Sequence, residues 1–260
     1  SFEGIRNLAE AYPRGDRLMK RLLRVFSQED TWRWFESAGV PLVLQDDHCV
    51  FPQSQDAKDI VRALLRRMDG VDLRLRTPVQ SVRPGLLVDG EAYDAVVVTT
   101  GGAPKGLPML DALQLEWVTT VPSLFTFTVR DDGLRALMGL VVDASVSIPG
   151  TPFTAEGPLL ITDWGLSGPA VLKLSAYAAR HLHEVGYKAP LSINWLQLNE
   201  ADARSLLLET AGDNPRKQVS STPPAGLQAR LWSHLIDKAG LRPDIRWAGG
   251  GSQGVNNLVG

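Results

Sequence analysis

Apolar and polar positions along this chain alternate with two periods, and the change from one to the other divides it. Residues 16–38, "DRLMKRLLRVFSQEDTWRWFESA", repeat at helical spacing, with Leu18, Leu22 and Val25–Phe26 on one stripe. Ser27 followed by Asp30 resembles a capping box and starts a second helix, which Gly39 ends. "VPLVLQDDHCVFP" predicts two short strands around a polar turn. Ser54 is read as the cap of a helix carrying Ile60, Val61, Leu64 and Leu65 and closed by Gly70. "VDLRLRTPVQSV" has period two, and "PGLLVDGEAY" holds an Asp-Gly turn of the kind that closes hairpins. "DAVVVTTGG" is a continuous β-branched run and predicts a strand buried on both faces.

Beyond it the period shortens. "PSLFTFTV", "GLVVDASVSIP" and "GPLLIT", punctuated by Pro and Gly, predict an antiparallel sheet or small barrel. A helix follows Ser167 to about His183, and "PLSINWLQL" reads as one more strand. From Asn199 onward "EADARSLLLETA" and "AGLQARLWSHLIDKAG" are helical. The tail "AGGGSQGVNNLVG" reads as a glycine-rich loop or linker.

Composition narrows the class. Hydrophobic residues make up 44% of the 260 positions, enough for a packed core. Lys and Arg number 27 against 29 Asp and Glu, a net charge of −2, which supplies no argument for a nucleic-acid or membrane partner. The single cysteine, Cys49, excludes an internal disulfide and a cysteine-rich zinc site. The four histidines show no metal-ligand spacing, so no metal is expected. No apolar run reaches the roughly 18–20 residues of a membrane span, and a cytoplasmic setting is expected.

Two stretches bear on chemistry. "GLSGP" places Ser167 between a strand-like and a helix-like run, as a nucleophile elbow would. The second glycine stands one place early, Pro169 follows it, and no oriented histidine accompanies it. Ser167 is therefore read as a helix cap rather than the nucleophile of a serine hydrolase. Thr99-Thr100-Gly101-Gly102 ends the β-branched run, where open α/β sheets receive ligands. No G-x-G-x-x-G or phosphate-binding P-loop precedes it. Asp46–Asp47 and Asp131–Asp132 are read as turn positions, and Trp32 and Trp34 as packing groups.

The ordered set "AEAYPRGDRLMKRLLRVF", "FPQSQDA", "VVVTTGG", "VPSLFTF", "GPLLITDWGLSGPAVLKLS" and "NPRKQVSSTPPAGLQARLW" resembles the HI0933-like family of NAD(P)/FAD-dependent oxidoreductases. The resemblance implies mixed α/β and α+β architecture. Residues 1–105 would be part of a Rossmann-type FAD-binding domain, 106–198 an inserted antiparallel β-barrel-like domain, and 199–260 a helical subdomain. It implies FAD as cofactor, with NAD(P)H as a candidate reductant. The strand holding Val79 and Val82 would meet the adenine through backbone groups, and Thr99, Thr100, Gly101 and Gly102 would lie near the pyrophosphate and ribose. Family members carry a glycine-rich G-x-G-x-x-G turn and a glycine-rich flavin segment, neither of which this sequence contains. Asp163 stands where members often carry His. The expectation is the central part of a flavoprotein oxidoreductase acting on a small molecule, without a nucleic-acid or membrane partner. No catalytic acid or base is assigned. The competing expectation is a binding or interaction module that holds no cofactor.

Overall fold

The computed structural model describes residues 8–12, 14–46, 48–102, 107–116, 118–242 and 244–259, which leaves Asp47 of the Asp46–Asp47 pair outside. Two compact units divide the chain at Asp94.

The first unit begins with helices α1 (Leu8–Ala11), α2 (Asp16–Val25) and α3 (Gln28–Ser37). The Ser27–Asp30 capping box forms in full: the Ser27 side chain accepts from the Asp30 N–H, and Asp30 accepts from the Ser27 N–H at 2.8 Å. These bonds from Ser27 hold the Asp30 carboxyl below its usual range. Strands β1 (Leu42–Leu44) and β2 (Val50–Pro52) form a hairpin, as the pattern predicts. Helix α4 (Lys58–Arg67) follows. Ser54 does not cap it, because the chain enters the helix through Ala57. The Ser54 hydroxyl donates to Asp59 at 2.6 Å instead, and Asp56 accepts from the Lys58 N–H. At the far end of α4, the Arg66 and Arg67 guanidinium groups donate to the carbonyls of Ala38 and Ser37, satisfying the open end of α3.

Strands β3 (Val82–Arg83), β4 (Leu87–Val88) and β5 (Glu91–Ala92) form an antiparallel meander. Its second turn is the Asp89-Gly90 pair, both left-handed, as this hairpin type requires. Asp89 also accepts from the N–H groups of Gln80 and Ser81. Two expectations fail nearby. The period-two run 71–81 is not a strand, and pairing begins only at Val82. Residues 94–102 are not a buried strand either: Val97 is 81% exposed. A β-branched run becomes a strand only when a neighbour completes its ladder, and none of the described residues does so here. All strand pairs among the described residues are antiparallel.

In the second unit a 3-10 turn over Pro108–Leu113 leads to β6 (Phe127–Thr128), α5 (Asp132–Arg135), β7 (Val141–Ser147), β8 (Thr154–Ile161) and β9 (Gly165–Ser167). Helices α6 (Pro169–Tyr177) and α7 (Ala179–Glu184), strand β10 (Ser192–Asn194), and helices α8 (Glu200–Asp213), α9 (Ala229–Lys238) and α10 (Trp247–Val259) complete it. The strands form one antiparallel sheet, ordered β10-β7-β8-β9-β6 and curled into a half barrel. On β7, Val142, Ala144 and Val146 point inward, and on β8, Ala155, Leu159 and Ile161 do. Helix α6 covers this face with Ala170, Val171 and Leu174. One hydrophobic cluster runs from these residues into Leu207 of α8, Leu231, Trp232 and Ile236 of α9, and Trp247 and Val255 of α10.

Glycine makes β9 possible. A Cβ on Gly165 would lie 2.2 Å from the Phe127 carbonyl oxygen and 2.6 Å from the Val129 nitrogen. One on Gly168 would lie 2.7 Å from the Pro158 oxygen. Both have positive φ, and together they let β9 slot between β6 and β8. Ser167 therefore belongs to β9 rather than capping α6. The residue before α6 is Gly168, and no side-chain cap forms. Pro169 occupies the first turn, where its missing N–H costs nothing.

The tail is also not a loop. α10 runs through the glycine segment, and Gly254 faces the Leu241 side chain, which would lie in ordinary contact, 3.5 Å, from an added Cβ. Asp131 caps α5 through the Leu134 N–H and pairs with Lys238 of α9 at 2.6 Å. The Lys238 ammonium, and then that N–H, hold its carboxyl below the usual range.

Two outcomes follow. Gly165→Ala should lower the unfolding free energy by about 3 kcal/mol or more, read from urea denaturation. Folding favours the Asp131 carboxylate, so its contribution is complete above the unfolded value of 3.8 and fades as pH falls through the lower folded value. The urea midpoint of Asp131→Ala should therefore fall below wild type at neutral pH, by about 1–2 kcal/mol in free energy, and converge with it on acidification.

Candidate functional site

An open cleft of about 670 Å³ lies in the second unit, beside the β6 edge of the half barrel. Its walls come from the 122–130 stretch and from 187–191, just before the opposite edge strand β10. The sequence "FTFTVR" builds the first wall. Phe125, Phe127 and Val129 alternate with exposed Thr126, Thr128 and Arg130, so the apolar residues rest on the core while the polar ones meet solvent. β6 bonds only to β9 among the described residues, so its other edge faces the cleft unpaired.

Three rings set the cleft's character. Phe125 meets Phe127 edge-on with centroids 5.8 Å apart, and meets Tyr187 in the same way at 5.8 Å. The Tyr187 hydroxyl lies 3.2 Å from His183 Nδ1 on α7. Among the described residues, Arg130 is the cation of the lining, and no carboxylate lines the cleft. Aromatic faces with one guanidinium and an open strand edge suit a flat, polar-edged ring, held by stacking and by hydrogen bonds to backbone.

Ser175 holds this wall in place, and sequence reading passed over it. It is wholly buried on α6; its hydroxyl accepts from the Phe125 N–H at 3.0 Å and donates to the Leu172 carbonyl at 2.8 Å. A serine among "AVLKLSAY" signals such a bond only through its polarity in an otherwise apolar run.

The sequence-predicted site residues lie elsewhere, in two units. Val79 and Val82 belong to the first: Val79 is 40% exposed, whereas Val82 is a buried core residue of β3. Thr99, Thr100, Gly101 and Gly102 belong to the second, exposed and outside any strand. Gly101 has φ +71° with open space where a Cβ would stand. Exposed backbone and hydroxyl donors of this kind fit the chemistry of an adenine edge or a pyrophosphate. The Gln80 and Ser81 N–H groups are already committed to Asp89 and are not part of that set.

Asp163 and Trp164 form the exposed two-residue tip between β8 and β9, closed by Thr162 N–H to Gly165 carbonyl at 2.8 Å. The Asp163 carbonyl accepts from Arg135 Nε. Among the described residues, no group of three or more His, Cys, Asp or Glu is placed to hold a metal ion, and no helix is long and apolar enough to cross a membrane.

The second unit joins a half barrel to a helical part through one shared core. The family model for the HI0933-like protein barrel and H2TH domain matches residues 121–260. The chain belongs to the HI0933-like family. Membership makes it part of a flavoprotein-related family, and the match runs through the glycine segment of α10. The ribosomal RNA dihydrouridine synthase of Escherichia coli (strain K12) is 28% identical over 210 residues, covering 73% of this chain and 50% of that protein. The chain thus spans about half the length of this curated relative.

Replacing Ser175 with Ala leaves the Phe125 N–H without its acceptor. Urea denaturation should show a loss of about 1–2 kcal/mol, and the near-ultraviolet circular dichroism of the ring cluster should weaken.

Proposed function

We propose that this chain is the central part of a cytoplasmic FAD-dependent oxidoreductase, and that its half barrel presents a nucleobase of RNA to the flavin. The observation that carries the reading is membership of the HI0933-like family through the barrel and helical part. The activity for which the E. coli relative is named supports a uracil ring in ribosomal RNA over the free small molecule that the family resemblance implies.

Bound FAD, re-reduced by NAD(P)H, would supply the two electrons that saturate a uracil C5–C6 bond, delivered as a hydride with a proton added at the neighbouring carbon. The chain's own residues bind and orient. Backbone groups at Val79 and Val82 and the Thr99–Gly102 stretch would hold the adenine, ribose and pyrophosphate of FAD. Val82 contributes by backbone alone, because its side chain is spent in the core. Phe125, Phe127 and Tyr187 would stack on the extruded base, and Arg130 would sit beside its polar edge or the adjoining phosphate. No residue is assigned as acid or base. The division into an FAD-binding part (1–105), a barrel part (106–198) and a helical part (199–260) belongs to this proposal.

Titrating the purified chain with FAD tests it. Quenching of flavin fluorescence with saturable binding, weakened in Thr99→Ala/Thr100→Ala, is expected. An unchanged flavin spectrum across the titration, or equal binding by the double variant, would overturn the assigned FAD contacts and favour a binding module without cofactor.

A further inference from the structure

We infer that Arg216, Lys217 and Arg246 form a docking patch for the sugar–phosphate backbone of single-stranded RNA, separate from the aromatic cleft. The inference rests on the RNA reading above and adds where the strand is held.

Two backbone segments meet here. Gln218 and Arg246 form an antiparallel bridge. The Val219 N–H donates to the Ile245 carbonyl at 2.9 Å, the Trp247 N–H to the Lys217 carbonyl at 3.2 Å, and the Ala248 N–H to the Pro215 carbonyl at 3.0 Å. The bridge sets Arg246 opposite Gln218, and the flanking bonds hold its segment beside the 215–217 turn that carries Arg216 and Lys217. Two buried tryptophans tie the platform beneath. Trp232 and Trp247 stack with centroids 6.2 Å apart; Trp232 Nε1 donates to the Val219 carbonyl, and Trp247 Nε1 to Thr222 Oγ1.

All three side chains are exposed, and none makes an ion pair or side-chain hydrogen bond among the described residues. Their neighbours in the helical part differ. Arg242 pairs with Asp244, Lys238 with Asp131, Arg204 bonds to Asn256, and Arg230 bonds to the Ala136 carbonyl. Asp213, at the end of α8, is the carboxylate nearest in sequence to Arg216, and it pairs with none of the three. Three uncompensated cations on a packed base match a polyanion with regularly spaced charges. The N–H groups of Trp247 and Ala248 at the start of α10 are already taken by Lys217 and Pro215, so recognition falls to side chains and carries no base preference. A single strand, rather than a duplex, fits a substrate whose base must leave its stack to be reached.

The test is fluorescence anisotropy of the chain with a fluorescein-labelled single-stranded oligoribonucleotide at several salt concentrations. The variants are Arg216→Gln/Lys217→Gln/Arg246→Gln and a charge-matched control, Arg33→Gln/Arg62→Gln/Arg74→Gln. Circular dichroism confirms that both remain folded. Wild type and control should show the same slope of log affinity against log salt. The patch variant should bind at least tenfold more weakly at low salt, with a slope shallower by about 2, the share of three phosphate contacts to a single strand. Equal slopes for patch variant and wild type, an equal loss in the control, or binding of phosphatidylserine vesicles with none of the RNA would overturn the patch. FAD titration of the patch variant reports separately on the flavoprotein reading, because that reading predicts unchanged flavin binding there.

Discussion

The second unit depends on a close approach of three backbones. β9 is three residues long, yet it joins β6 to the rest of the sheet, and it does so where no side chain fits. Gly165 closes against β6 and Gly168 against β8. Without both, β9 could not pair with β6 and β8 as it does. The same three residues hand the chain to α6, whose Ser175 reaches back to fix Phe125. The "WGLSGP" motif is thus a packing device, and its serine ends the strand between two glycines that pack against the neighbouring backbones.

The legible parts of the sequence were those whose signal is local. The Ser27 capping box, the Asp89-Gly90 hairpin and the alternation of β7 and β8 each depend on residues within a few positions, and each forms. Reading failed where a distant partner decides. The β-branched run at 96–98 has the composition of a buried strand, but no described neighbour completes its ladder. Ser54 and Ser167 stand near helix starts, and the backbone path hands the entry to Ala57 and Gly168 instead. The cleft was only half visible: "LFTFTV" reads as a strand, but its meeting with Tyr187 is a fact of tertiary structure.

Net charge is silent on position for a related reason. A total of −2 averages over a chain in which many charges cancel in local pairs, such as Arg62 with Asp59 or Arg242 with Asp244. What a polyanion meets is the remainder left uncancelled, and its position. Arg246 lies 29 residues beyond the adjacent pair Arg216–Lys217, and the bridge to Gln218 brings its segment beside theirs. Exposed pairs such as these add little to stability, but they cancel charge locally.

Helix α10 carries glycine at 249, 250, 251 and 254, each costing roughly 1 kcal/mol of helical preference relative to alanine. Such a segment is no helix in isolation. It holds its form only against α8 and Leu241, with Trp247 stacked on Trp232 and Val255 in the shared core. Coil-to-helix transition and tertiary docking are therefore a single cooperative event at this end of the molecule. Because Arg246 immediately precedes α10 and is bridged to Gln218, the juxtaposition of the three cations exists only once that event is complete. An unfolded or half-docked chain would display the same charges scattered, so affinity for a polyanion becomes a property of the finished fold and not of the polypeptide.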